Sequence, residues 1–322
     1  MKPNIKILAT GGTIAGTAKI STQTTNYTAG ALGIDELLNA VPEIKNFANV
    51  TGEQICNIDS KDMTDEIWLT LANKINENFS RDEIDGIVVT HGTDTLEETA
   101  YFLNLTVHGD KPVVLTGAMR PATAISSDGS MNLLNAVRIA AHKNSFGKGV
   151  LVALNDEINS AREVTKTNTL TLSTFKSFEF GLLGSVNAGI PEFYRTSTRR
   201  HTINSEFDIS GLKKLPLVKI IYGHAGDDGI FIDAAINAGV NGIIYAGTGN
   251  GSIHANAEEF LSRAANLGIV IVRSSRCGGS VTENQKFLSG DNLSPQKARI
   301  LLQLALTKTN DRSEIQRMFN QY

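Results

Sequence analysis

The chain is expected to fold as an α/β protein, with a larger N-terminal domain built on a parallel sheet and a smaller C-terminal α/β domain. Three observations predict this: apolar runs of strand length recur, amphipathic helical patterns lie between them, and a polar, basic stretch divides the alternation in two. The length of 322 residues agrees, giving a prior of roughly two domains.

The first run is IKILA at 5 to 9. A helical pattern follows, with Trp68, Leu71, Ala72 and Ile75 on one face. Then come GIVVT at 86 to 90 and PVVLT at 112 to 116, a second helical pattern over 128 to 143 carrying Leu134, Val137 and Ala141, and GVLVAL at 149 to 154. Runs apolar throughout, rather than alternating, belong to strands covered on both faces. From Pro191 to Lys214 the texture turns polar and basic, which reads as a linker over 191 to 212 between domains at 1 to 190 and 213 to 322. Beyond it LVKIIY, GIIYAG and GIVIVRS alternate with helical segments in a smaller, Rossmann-like arrangement. Ser294 and Pro295 suit the cap and first position of the closing helix.

Composition narrows the function. With 20% charged residues and a net charge of −3, no basic field argues for nucleic acid, so a small molecule is the expected partner. No apolar run reaches the roughly 18 residues a membrane helix needs, and the one before Gly11 is too short for a secretory leader core. The chain as written is thus expected in the cytoplasm, or in the periplasm if a leader was removed. Cys56 and Cys277 make neither a disulfide framework nor a zinc spacing, the six histidines show no metal pairing, and no metal or cofactor is expected.

In open α/β sheets ligands collect at the carboxyl ends of the strands, and here those ends are rich in hydroxyls. IKILA leads into Thr10, Gly11, Gly12 and Thr13; GIVVT leads into His91, Gly92, Thr93, Asp94 and Thr95. Gly11, Gly12 and Gly16 are spaced wrongly for a dinucleotide fingerprint, and Thr17 stands where a phosphate loop needs lysine. The glycine pair permits a tight turn and leaves backbone N–H groups beside Thr13; on its own this fits an ordinary strand-to-helix turn with a capping threonine. A threonine hydroxyl becomes a nucleophile only with a base to take its proton. Lys166 is a candidate if desolvation lowers it from a lysine's usual pKa of about 10.4, though a solvated lysine is the plainer reading. Tyr27 is either a packing residue or a hydroxyl near Thr13, and His91 reads as structural. From the residues alone the conclusion is a hydroxyl-rich cleft for a small polar ligand.

ATGGTIAG, NYTAG, DSKDM, THGTDTLEETAYFL, GAMRP, REVTKTNT, GTGNG and SPQKARILLQLALT, in this order, resemble the bacterial-type L-asparaginase family, nearest its type II branch. The resemblance implies an amidohydrolase converting L-asparagine to L-aspartate and ammonia without metal or cofactor. It makes Thr13 the nucleophile that forms an aspartyl ester, assisted by Tyr27, with Thr93, Lys166 and Asp94 as a second hydroxyl, base and carboxylate set. Ser60 and Asp94 would hold the α-carboxylate and α-ammonium of the substrate, and backbone groups at Gly12, Thr93 and Ala118 would face the reacting amide. It also implies a homotetramer, a dimer of intimate dimers, in which Asn250 acts on the partner's site. Lys61 replaces the glutamine or glutamate usual after Ser60 in type II members, where a cation would repel the ammonium or turn to the carboxylate. Glu283, in a short segment after SSR, is the candidate carboxylate supplied in trans. The two cysteines do not resemble the disulfide pair of exported members. A mixed glutaminase-asparaginase and a non-catalytic amino-acid sensor are the alternatives.

Overall fold

The computed structural model describes residues 1–25 and 27–322, so Asn26 of the NYTAG motif lies outside the described residues. The chain forms two compact units, Met1–Ser210 and Gly211–Tyr322.

In the first unit the parallel strands are β1 (Asn4–Gly11), β2 (Asn49–Ile58), β3 (Gly86–Thr90), β4 (Val113–Thr116) and β5 (Val150–Leu154). Antiparallel strands β6 (Glu157–Ser160), β9 (Gly184–Asn187) and β10 (Ile190–Phe193) extend the same sheet, giving the order β10-β9-β6-β5-β4-β3-β1-β2. A separate hairpin pairs β7 (Thr165–Lys166) with β8 (Phe175–Lys176). Every residue of β3, β4 and β5 is buried, as their unbroken apolar runs require. Helices α1 (Ile34–Asn39), α2 (Asp65–Phe79), α3 (Leu96–Thr106) and α4 (Gly129–Ala140) belong to this unit. The predicted face of α2 is buried, and Trp68 stacks on Phe102 of α3 with ring centroids 5.2 Å apart. The pattern over 128 to 143 overshoots α4 because a short 3₁₀ turn, Lys143–Ser145, follows it.

β1 lies between β2 and β3, so the chain leaves β1 toward one edge of the sheet and returns on its other side. That reversal opens a crevice at the carboxyl ends of β1 and β3, the usual ligand position in doubly wound sheets. The stretch expected as a linker is folded into this unit over most of its length. Its start forms β10, and Phe207 and Ile209 are buried. An edge strand is held by backbone hydrogen bonds, which leave little apolar periodicity to read.

The second unit carries a parallel sheet in the order β11 (Val218–Tyr222), β12 (Gly242–Gly247), β13 (Val270–Ser275), β14 (Leu288–Ser289). Its helices are α5 (Ile230–Asn237), α6 (Ala255–Asn266), α7 (Pro295–Leu306) and α8 (Arg312–Gln321). Pro295 opens α7 as predicted; Ser294 occupies the cap position, but its side chain makes no capping hydrogen bond. Two elements lay outside the sequence pattern: β14 has only two residues, and α8 is a polar helix that buries Ile315, Met318 and Phe319. Among the described residues no helix is long and apolar enough to cross a membrane, and Cys56 and Cys277 are free thiols.

Candidate active site

At the end of β1, Gly11 and Gly12 take φ of +101° and +81°, which side chains rarely adopt. A Cβ on Gly11 would sit 2.6 Å from the backbone of Ile58, and one on Gly12 would collide with the backbone of Gly92. Strands β1 and β3 therefore end with two glycines in backbone contact. Thr13 begins a 3₁₀ turn directly after one of them, and Thr93 follows the other.

Thr13 is 6% exposed, and its hydroxyl lies 2.6 Å from that of Tyr27. The loop carrying Tyr27 is narrowed by reciprocal backbone bonds between Thr17 and Thr28, both 3.0 Å. Beside this pair stands the second set. The Lys166 ammonium donates to the Thr93 hydroxyl at 2.9 Å and to an Asp94 carboxylate oxygen at 2.6 Å. Strand β7 delivers this lysine from the hairpin, and its side chain is 16% exposed against 59% for Asp94. The plainer reading of a solvated lysine does not hold here.

Ser60 is buried at the end of β2, where its hydroxyl accepts from the Asp94 amide at 3.2 Å and its carbonyl accepts from the Thr95 hydroxyl at 2.7 Å. Gly92 lacks a Cβ that would fall 2.6 Å from the Ser60 hydroxyl. Lys61 turns outward instead: its ammonium bonds Asp59 at 2.9 Å, and that bond, with the nearby Asp59 and Asp62 charges, raises its pKa. Its side chain is 65% exposed.

Ala118 is fully buried just beyond β4, next to Gly117, whose added Cβ would lie 3.3 Å from the Thr93 methyl. Two residues missed in the sequence fix this corner. Asp128 accepts from the amides of Met119 and Arg120 at 2.9 and 3.0 Å, while Asn132 donates to the Gly117 carbonyl at 3.0 Å and accepts from the Asn155 amide at 3.0 Å. An Asp and an Asn one helical turn apart after a strand end were the available signal.

The structure thus brings Gly12, Thr13, Tyr27, Ser60, Thr93, Asp94, Lys166 and Ala118 to the carboxyl ends of β1 to β4 within the first unit. Asn250 and Glu283 lie in the second. Asn250 follows β12 in a turn closed by the Thr248 and Ser252 bridge, and Glu283 accepts from Asn320 at 2.9 Å.

His91 is structural in the way its position suggests. Thr99 accepts from the Trp68 indole at 2.8 Å and lies 2.9 Å from His91 Nε2, while His91 Nδ1 faces the Gly92 carbonyl at 2.7 Å. A carbonyl only accepts, so the proton is on Nδ1, and with the ring neutral at pH 7 the Thr99 hydroxyl donates to Nε2. Burial lowers its pKa from 6.5 to about 4, against the opposing Gly92 bond. The unfolded chain then binds the extra proton first, so this contribution is full above pH 6.5 and is lost as pH falls through about 4, roughly 3 kcal/mol in all. Urea midpoints from pH 7 to 4 should fall less steeply for His91→Gln than for the parent; parallel profiles would refute this.

Residues 4–199 match the model "Asparaginase, N-terminal", and residues 217–319 match "Glutaminase/Asparaginase C-terminal domain". The chain is 55% identical to L-asparaginase 2 of Bacillus subtilis (strain 168), over 99% of this chain and 87% of that one. It is 46% identical to the glutaminase-asparaginase of Pseudomonas fluorescens biotype A, over 99% and 90% respectively. The crystal structure of a probable cytoplasmic L-asparaginase from Campylobacter jejuni superposes with a TM-score of 0.98 at 50% identity, covering 100% of both chains. Fold, strand-end chemistry and these matches define an enzyme of the amidohydrolase class. Within that class, the chain belongs to the bacterial-type L-asparaginase family.

Proposed function

We propose that this enzyme hydrolyses the side-chain amide of L-asparagine to L-aspartate and ammonia through an ester on Thr13. The observation that carries the reading is the pair of hydrogen-bonded hydroxyls, Thr13 with Tyr27 and Thr93 with Lys166 and Asp94, set side by side by the Gly12 and Gly92 contact. Thr13 Oγ1 attacks the amide carbon while its proton passes toward Tyr27. The C–N bond breaks, and the leaving nitrogen takes up the proton given by Thr13, relayed by the Tyr27 hydroxyl, and departs as ammonia. Water then attacks the ester, its proton passing through the Thr93 hydroxyl toward the Lys166 and Asp94 pair, the C–O bond to Thr13 breaks, and the Thr13 oxygen takes a proton back from that set. Backbone groups at Gly12, Thr93 and Ala118 stabilise the charge developing on the carbonyl oxygen and hold the leaving amide.

Ser60 takes the substrate carboxylate and Asp94 its ammonium, with Asn250 and Glu283 supplied by the C-terminal domain of a partner in a homotetramer. Phe178, Ile190 and Tyr194, all well exposed, supply apolar surface for such an assembly. The enzyme is read as cytoplasmic, as the Campylobacter jejuni protein is named. A Haemophilus influenzae relative at 50% identity, named a probable periplasmic L-asparaginase, keeps the periplasm as the alternative.

The second reading, a mixed glutaminase-asparaginase, draws on the Pseudomonas fluorescens relative's name. Initial rates of ammonia release with each amide test both, and no release from either would leave an amino-acid sensor. Lys61 bears on the preference. Exposed ion pairs contribute up to about 1 kcal/mol, so Lys61→Gln should shift KM by up to about fivefold and alter the asparagine-to-glutamine ratio. Unchanged kcat and KM for both amides would exclude a role for Lys61.

A further inference from the structure

Arg273, on β13 between Tyr245 and Ser289 of the neighbouring strands, is 6% exposed. Burial lowers its pKa with no carboxylate acting against it. A guanidinium so placed needs acceptors for its N–H groups. Its Nη2 donates to the Thr282 carbonyl.

Thr282 in turn grips Asn250 from both sides: its amide donates to Asn250 Oδ1 at 2.9 Å, and its hydroxyl oxygen accepts from Asn250 Nδ2 at 2.8 Å. Because a backbone N–H can only donate, Oδ1 must be the atom facing it, so the orientation of the Asn250 amide is unambiguous. One N–H of Nδ2 and one lone pair of Oδ1 are left pointing away from the clamp. Neighbouring contacts hold the clamp in register. Val281 donates to the Asp291 carbonyl at 2.9 Å and accepts from the Ser289 hydroxyl at 2.5 Å, and a Cβ on Gly251 would meet Val281 at 2.9 Å. The turn after β12 and the segment after β13 are thereby locked together beside Asn250.

We propose that Thr282, held by Arg273, is the positioning residue that presents the free donor and acceptor of Asn250 to the amino-acid end of the substrate. This rests on the reading that Asn250 touches substrate. The buried arginine acts at one remove: its planar, charge-assisted donor fixes the Thr282 carbonyl, and with it the residue whose amide and hydroxyl form the clamp.

Thr282→Val keeps the backbone donor and the side-chain shape but removes the hydroxyl acceptor. In the full-length enzyme it should raise KM for L-asparagine about 3- to 10-fold, the size of one hydrogen bond, with kcat within about twofold and an unchanged melting temperature. Thr282→Ser should restore the parental KM, and Arg273→Met should follow Thr282→Val. Asn250→Ala is measured alongside. If it raises KM while Thr282→Val does not, or if Val and Ser variants are equally impaired, the positioning role is overturned and the reading of Asn250 stands. If Asn250→Ala itself leaves KM unchanged, the contact with substrate is wrong and the clamp has nothing to position.

Discussion

Thr13→Ala should lower kcat for ammonia release by at least about 10³-fold with a melting temperature close to the parent, since loss of a covalent nucleophile costs far more than loss of a contact. The substitution removes only one oxygen and one methyl from the side chain. Its hydroxyl bonds Tyr27 and nothing in the sheet, so the effect should fall on chemistry rather than folding. Thr13→Ser keeps the attacking oxygen and should retain measurable turnover. Release from Thr13→Ala within tenfold of the parent would assign the nucleophile elsewhere, with Thr93 next in line.

The second large effect separates the two threonines. Lys166→Met takes the ammonium from both Thr93 and Asp94, and kcat should fall by about 10² to 10⁴-fold, the usual scale for a general base. The hairpin that carries it has two-residue strands apart from the main sheet, so the fold does not depend on this side chain. If Thr13 with Tyr27 performs the first half of the reaction and Lys166 the second, the variant should accumulate an aspartyl ester. Mass spectrometry of the peptide bearing Thr13 would show it after mixing with L-asparagine, along with one rapid equivalent of ammonia. A variant that is slow without ester or burst would place Lys166 in the first half as well.

The residues differ in how far the sequence revealed them. GIVVT and PVVLT were readable as buried strands because a strand covered on both faces leaves an unbroken apolar run. β6, β9 and β10 were not, since four-residue antiparallel strands of mixed polarity satisfy their backbones by pairing without an unbroken apolar run. Within the site, Thr13 and Thr93 stood out by following strand ends. That they belong to adjacent strands depends on sheet order, which no local pattern encodes. Lys166 showed only a polar neighbourhood, because its burial comes from a fold that returns it to Thr93 across 73 positions. Lys61 was legible as an unusual cation but not as the partner of Asp59. Asn132 and Asp128 act through backbone groups of residues named for other reasons.

The contact between Gly12 and Gly92 has a consequence for how this enzyme can change over generations. Neither residue offers a functional group, yet a single added carbon at Gly12 would drive apart the two strand ends that carry the proposed reactive threonines. Lineages are free to explore new specificities through Lys61 and the segment around Glu283, where side chains face outward. They have to do so while conserving two hydrogen atoms just beyond the ends of β1 and β3.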